Sequence, residues 1–90
     1  MHNERGKILW IDDEIEHLKP HILFLEEKGY KISISDNGQN GIVKSKEEVF
    51  DLVLLDQFMP GIDGIEVLKA IKEENPALPV VMITKSDEEW

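Results

Sequence analysis

The stretch ILWIDDE, residues 8–14, is a short apolar run that leads directly into acidic residues. A second stretch of the same kind, LVLLD, occupies residues 52–56, and a third apolar run, VVMI, occupies residues 80–83. Apolar runs of this length without polar alternation are typical of parallel strands that are covered on both faces of a sheet. We therefore expect a parallel α/β sheet.

The segments between these runs have the spacing of helices. Apolar residues repeat at helical intervals from Ile15 to Leu25 and precede Gly29, a residue type common just after a helix. Residues 38–48 predict a weaker helix, and Ile65–Ile71 predicts an amphipathic one. Residues 32–34 alternate apolar and polar side chains and predict a less covered strand. The order βαβαβαβ predicts a layered sheet with helices on both faces.

Composition places the chain among globular proteins. It has 90 residues, of which 41% are hydrophobic and 32% charged, and it contains no cysteine. We expect one domain, residues 1–90, without disulfide bonds or thiolate metal sites. The net charge of -9 disfavours direct contact with nucleic acid or anionic membranes. No apolar run approaches the roughly 18 residues of a spanning helix, and we expect a cytoplasmic protein.

Acidic residues follow two of the predicted strands directly. Asp12 and Asp13 follow strand one, and Asp56 follows strand three. Ligands bind beyond the carboxyl ends of strands in open α/β sheets, so these acids converge if the two strands are neighbours. Three close carboxylates repel one another, and a divalent cation removes the repulsion. Magnesium suits such a site, because carboxylates, water and phosphate oxygens complete its octahedron.

Asp56 is the best candidate nucleophile in this pocket. A carboxylate beside a bound metal ion can form an aspartyl phosphate, and Asp56 stands alone at the tip of its strand. Each feature also has an ordinary explanation, since Asp12 and Asp13 suit a helix N-terminus and Asp56 suits a turn before Pro60. Both features occur together, and Thr84 follows a third strand, which favours the functional interpretation.

Three ordered motifs resemble those of bacterial response-regulator receiver domains. They are ILWIDDE at residues 8–14, LVLLD followed by MPG and DG within residues 52–64, and VVMIT at residues 80–84. The resemblance extends from about Lys7 to Ser86 and implies a flavodoxin-like sheet with the strand order 2-1-3-4. The final helix, strand and helix of such a domain have no counterpart before Trp90, so we expect a receiver that is incomplete at its C-terminal end.

The resemblance also implies roles for individual residues. It implies that Asp12 and Asp13 bind Mg²⁺, with Mn²⁺ as a substitute, and that Asp56 is both a metal ligand and the acceptor of a phosphoryl group. The donor would be a histidine kinase or a phosphotransfer protein. The backbone carbonyl of Phe58 would be a further metal ligand, and the Thr84 hydroxyl would move to bond the phosphoryl group.

A signalling protein is implied, one that promotes its own phosphorylation and dephosphorylation but is otherwise not an enzyme. A C-terminal effector domain in the parent chain is implied as well, and the apolar edge of strand four predicts a homo-oligomer that covers it. Residues 18–26 and 83–86 resemble receivers of type IX secretion response regulators more narrowly. The lysine that grips the phosphoryl group in the family has no counterpart here, and Lys85 is expected in solvent.

Two other functions fit parts of the same pattern. A receiver-like module would mediate protein interaction or dimerisation without being phosphorylated. A metal-dependent phosphohydrolase similar to haloacid dehalogenases would also use an aspartate nucleophile, but its two aspartates are separated by one residue after strand one. Asp12 and Asp13 are adjacent, which favours the receiver interpretation.

Overall fold

Strands and helices alternate along residues 5–84, the part of the chain that the computed structural model describes. The strands are β1 (Gly6–Ile11), β2 (Tyr30–Ser35), β3 (Leu52–Asp56) and β4 (Val80–Ile83), and the helices are α1 (Ile15–Glu27), α2 (Gly38–Glu47) and α3 (Gly64–Glu74). The predicted order βαβαβαβ is confirmed. β1 begins two residues before the apolar run that predicted it.

The strands form one parallel sheet in the order β2-β1-β3-β4. β1 pairs with β2 along its whole length and with β3 from Ile8 to Ile11. At the end of β3, Asp56 pairs with Ile83 of β4. This order confirms the predicted flavodoxin-like sheet. Because the strands are parallel, their carboxyl ends lie at one end of the sheet, and the acidic residues share that end.

Apolar side chains pack on both faces of the sheet, as the continuous apolar runs predicted. The core on the α2 and α3 face comprises Leu9, Ile11, Phe50, Val53, Leu55, Val67, Ile71 and Leu78. The smaller core on the α1 face comprises Trp10, Leu18 and Ile22. Alternate residues of β1 point into the two cores, so its backbone is fixed from both sides. The residues that follow β1 therefore start from a rigid position.

Polar side chains begin two of the helices. Asn37 accepts a hydrogen bond of 2.8 Å from Asn40 N–H at the start of α2, and Asp63 accepts one of 2.8 Å from Ile65 N–H at the start of α3. Such caps satisfy amides that have no partner within the helix. Gly29, with φ of 103°, follows α1 as predicted. None of the helices in residues 5–84 is long and apolar enough to cross a membrane.

Candidate functional site

The carboxyl ends of β1 and β3 bring three carboxylates together. One carboxylate oxygen from each of Asp12, Asp13 and Asp56 lies within 4.8 Å of the other two. β1 and β3 are direct neighbours, and their register pairs Ile11 with Leu55, so Asp12 and Asp56 follow at the same level of the sheet. The structure thus places the three residues singled out in the sequence in one acidic cluster.

The acidic cluster has a buried floor and an exposed rim. Asp12 and Asp56 have relative exposures of 0% and 2%, whereas Asp13 faces solvent. Burying carboxylates costs free energy unless cations or hydrogen bonds compensate their charge. Three carboxylate oxygens at this spacing, open to solvent on the Asp13 side, are a suitable donor set for a hard divalent cation such as Mg²⁺.

Backbone amides orient the two buried carboxylates. Glu14 N–H donates a hydrogen bond of 2.8 Å to Asp12 Oδ1, and Phe58 N–H donates one of 3.2 Å to Asp56 Oδ1. The Asp12 N–H in turn donates to the Ser35 carbonyl oxygen at 2.9 Å, which ties the start of the cluster to β2. Hydrogen bonds from backbone groups hold both side chains in defined orientations.

The β3–α3 loop, residues 57–63, follows Asp56 directly. Gln57 N–H donates to the Ile83 carbonyl oxygen at 3.0 Å, which holds the start of this loop against β4. The Phe58 side chain is 64% exposed, and its backbone amide contacts the acidic cluster through Asp56. The loop therefore places Phe58 next to the cluster. That the backbone carbonyl of Phe58 is a metal ligand stays a prediction.

Thr84 lies at the carboxyl ends of the strands, as the acidic cluster does. It follows β4 directly and is exposed. Since Asp56 pairs with Ile83, Thr84 lies one residue beyond the level of Asp56 on the neighbouring strand. This position is compatible with a hydroxyl that reaches a group on Asp56, and the switch role stays a prediction. The prediction for Lys85 lies outside the described residues.

One close contact at the site was not predicted from the sequence. A Cβ on Gly64 would lie 2.8 Å from the Gln57 carbonyl oxygen and 2.9 Å from that of Asp56. Gly64 is therefore packed against the backbone of the acidic cluster. The sequence signal was the Asp-Gly pair of the receiver-like motif, which precedes an amphipathic helix and indicates a helix cap but not what the glycine touches.

Sequence comparison identifies relatives over almost the whole chain. The profile of the response regulator receiver domain matches residues 8–90. The transcriptional regulatory protein ZraR of Klebsiella oxytoca is 43% identical over 84 residues, which cover 93% of this chain and 19% of that protein. The transcriptional regulatory protein ResD of Bacillus subtilis is 43% identical over 83 residues, covering 92% of this chain and 34% of ResD. The chain thus spans about a fifth to a third of these relatives.

Solved receiver structures have the same fold. The response regulator TrrA from Thermotoga maritima, in complex with Mg²⁺-BeF, matches with a TM-score of 0.83 and 33% identity, covering 90% of this chain and 70% of that one. A receiver domain from Methanospirillum hungatei matches with a TM-score of 0.84 and 29% identity, covering 91% of this chain and 66% of that one. With the profile match, these likenesses show that the chain belongs to the response regulator receiver domain family.

Proposed function

We propose that this receiver accepts a phosphoryl group on Asp56 in a Mg²⁺-dependent reaction, as part of a two-component signalling system. The observation that carries the proposal is the acidic cluster, in which oxygens of Asp12, Asp13 and Asp56 lie within 4.8 Å of one another. A receiver similar in fold, TrrA, has been solved with Mg²⁺-BeF. The same donor chemistry is available here.

In this proposal Asp12, Asp13 and Asp56 hold Mg²⁺, the Phe58 carbonyl is a further ligand, and Mn²⁺ is a substitute. Held by these residues, Mg²⁺ would supply the positive charge that offsets the charge of the phosphoryl group during transfer. The chain itself fixes the geometry, since the amides of Glu14 and Phe58 hold one oxygen of each buried carboxylate. The exposed position of Asp13 leaves the cluster accessible from solvent.

The proposed transfer moves a phosphoryl group from a phosphohistidine to this chain. A carboxylate oxygen of Asp56 forms the new O–P bond while the N–P bond of the donor breaks and its electron pair returns to the imidazole. The products are an aspartyl phosphate and a free histidine. The Thr84 hydroxyl then donates a hydrogen bond to a phosphoryl oxygen, and this movement changes the surface at the end of β4.

The donor partner is a histidine kinase or a phosphotransfer protein, and we place the reaction in the cytoplasm. Residues 1–90 act as one receiver domain that promotes only its own phosphorylation and dephosphorylation. The relatives are longer transcriptional regulatory proteins, and we propose an effector domain C-terminal to this receiver in its parent chain. We also propose, more narrowly, that this receiver is of the type IX secretion response-regulator kind, because residues 18–26 and 83–86 resemble those receivers.

Intact-mass measurement after incubation with Mg²⁺ and acetyl phosphate tests the proposal. The wild type should gain one phosphoryl adduct that hydroxylamine removes, and the adduct should be absent from Asp56→Asn or when EDTA is present. Asp36→Asn is the matched control, because Asp36 is an exposed aspartate that follows β2 at the same end of the sheet as the acidic cluster. A folded wild type without an adduct contradicts the proposal, and multiple turnover of a phosphate ester would instead indicate a phosphohydrolase.

A second candidate function is a receiver-like interaction or dimerisation module that is not phosphorylated, and exposed apolar side chains favour it. Leu23 and Phe24 of α1 are 59% and 57% exposed, and Val81 of β4 is 48% exposed. Within residues 5–84, β4 is an edge strand that pairs only with β3. We propose that a homo-oligomer covers this edge, because apolar edges favour pairing with another chain.

Sedimentation velocity of the wild type and Val81→Lys distinguishes a homo-oligomer that uses β4 from a monomer. A charge on β4 should dissociate an oligomer that uses this edge. Val49→Lys is the control. Val49 is 86% exposed and precedes β3, so it lies at the amino ends of the strands and away from the exposed side of β4. A wild type that sediments as a monomer at all concentrations contradicts the oligomer.

A further inference from the structure

The start of α3 packs directly on the backbone of the proposed phosphoacceptor. Gly64, the first residue of α3, is buried, and its N–H donates to the Gln57 carbonyl oxygen at 3.2 Å. A Cβ at this position would lie 2.8 Å from Gln57 Cα, 2.8 Å from the Gln57 carbonyl oxygen and 2.9 Å from the Asp56 carbonyl oxygen. The gap accommodates a hydrogen atom but not a methyl group.

The crowded atoms belong to the backbone, so a change of rotamer does not relieve the contact. Real Cβ atoms essentially never approach closer than 3.0 Å, and ordinary contact begins at 3.4 Å. A side chain at position 64 would therefore push α3 and the Asp56–Gln57 backbone about 0.6 Å further apart, which is the difference between 2.8 Å and ordinary contact at 3.4 Å. Val67 and Ile71 anchor α3 in the core with exposures of 0% and 1%, whereas the loop is held against β4 by the backbone bond from Gln57 N–H to the Ile83 carbonyl oxygen. Because the side-chain packing of α3 is the larger constraint, we expect the displacement to fall mainly on the loop.

We propose that Gly64 is a positioning residue for Asp56. Because it has no side chain, α3 holds the Gln57 peptide where the Asp56 carboxylate lies within 4.8 Å of the two acids that follow β1. A displaced loop moves Asp56 relative to that pair, which changes both the metal site and the direction of attack. This inference rests on the proposed phosphoacceptor function. A misplacement of about 1 Å costs roughly 100-fold in rate.

Gly64→Ala and Gly41→Ala form a matched pair for the test. Gly41 is also a buried helical glycine, and a Cβ there would lie 2.5 Å from Ile11 Cδ1 and 2.7 Å from Ile11 Cγ1. Both substitutions overpack the protein and lower its stability. At position 41 the crowded atoms belong to the Ile11 side chain, while the Ile11 backbone stays paired with β2 and β3.

Each variant is examined for Mg²⁺ affinity, from Trp10 fluorescence, and for the rate of phosphorylation by acetyl phosphate. Both values are corrected for the folded fraction from urea titrations. We expect Gly64→Ala to lose at least about tenfold in both values, and Gly41→Ala less than about threefold. A protein in which Gly64 had only a structural role would show equal values for the two variants after this correction.

The two proposals fail in distinguishable ways. If the wild type binds Mg²⁺ but gains no phosphoryl group, the proposed function is wrong, and the Mg²⁺ affinities of the two variants still test Gly64. If the wild type is phosphorylated and Gly64→Ala matches Gly41→Ala in affinity and rate, the positioning role is overturned.

An NMR titration of the wild type decides the matter if Gly64→Ala does not fold. The amide signals of Gly64 and Gln57 should shift with the same Mg²⁺ midpoint as those of Asp12 and Asp13. The Gly29 amide is the control, because Gly29 precedes β2 and so lies at the amino ends of the strands, opposite the acidic cluster. A Gly64 amide that stays unchanged at saturating Mg²⁺ overturns the inference.

Discussion

The backbone N–H of Phe58 donates a hydrogen bond of 3.2 Å to Asp56 Oδ1, so the residue two positions later holds the carboxylate of the proposed phosphoacceptor. An asparagine side chain offers the same oxygen with almost the same shape. Its remaining difference from aspartate is charge and nucleophilicity. Asp56→Asn therefore tests the charge of the acidic cluster without removing the bond that orients it.

Asp56→Asn should stabilise the protein when Mg²⁺ is absent. Removing one of three carboxylates within 4.8 Å relieves like-charge repulsion, and the expected gain in the free energy of unfolding is on the order of 1 kcal/mol. Urea titrations in EDTA measure it. The control Asp36→Asn, outside the cluster, should stay within about 0.5 kcal/mol of the wild type. A destabilised Asp56→Asn would show that repulsion does not dominate this cluster.

Mg²⁺ should raise the stability of the wild type. A ligand at 100-fold excess over its dissociation constant adds about 2.7 kcal/mol to the free energy of unfolding. Thermal unfolding with MgCl₂, compared with KCl at equal ionic strength, separates binding from screening. Asp13→Asn should lose most of this increment while it keeps its fold, because Asp13 is exposed. Equal stabilisation of Asp13→Asn and the wild type would contradict a site that uses Asp13.

The sheet was predictable because its strands are covered on both faces and leave continuous apolar runs in the sequence. The start of β1 was not, since Gly6 and Lys7 join the sheet by pairing with Tyr30 and Lys31, and backbone pairing leaves no apolar signal. The weak alternation at residues 32–34 correctly indicated a less covered strand, and β2 is an edge strand of the described sheet.

The acidic cluster was predictable for a different reason. Strand ends fix the position of Asp12, Asp13 and Asp56, so a rule about parallel sheets was enough to bring them together. The contact of Gly64 with the Asp56 backbone depends on how closely α3 approaches the loop. Residue spacing does not encode that distance, and only the packed structure shows why a glycine occupies this position.

Loss of the helix cap at α3 should weaken Mg²⁺ binding as well as stability. Asp63→Ala removes the 2.8 Å bond to Ile65 N–H and should cost about 1 kcal/mol. Asn37→Ala removes the equivalent 2.8 Å bond at α2 and should cost a similar amount. Because Asp63 ends the β3–α3 loop, only Asp63→Ala should also lower Mg²⁺ affinity, measured by Trp10 fluorescence. Equal affinities in the two variants would separate the cap from the site.

The ion pair between Lys7 and Glu48 should make stability depend on pH. The Lys7 ammonium donates a hydrogen bond of 2.7 Å to Glu48 Oε1 and lowers the pKa of Glu48 below its ordinary value of 4.5. Desolvation opposes this shift, and the positive charges of Lys7 and Lys44 add to it. Folding thus favours the charged form of Glu48. Its contribution is present above the ordinary pKa and disappears as the pH falls through the lowered one.

Urea titrations across this range should therefore show wild type and Glu48→Gln converging. Their difference in the free energy of unfolding should be largest near neutral pH and should shrink as the pH falls below about 4.5, because protonated Glu48 no longer pairs with Lys7. Comparison with the variant cancels the titration of the other acids. Glu47→Gln, at an exposed neighbouring position, is the control for the loss of one negative charge. A Glu48→Gln difference that does not change with pH would mean that the pair with Lys7 does not stabilise the folded chain.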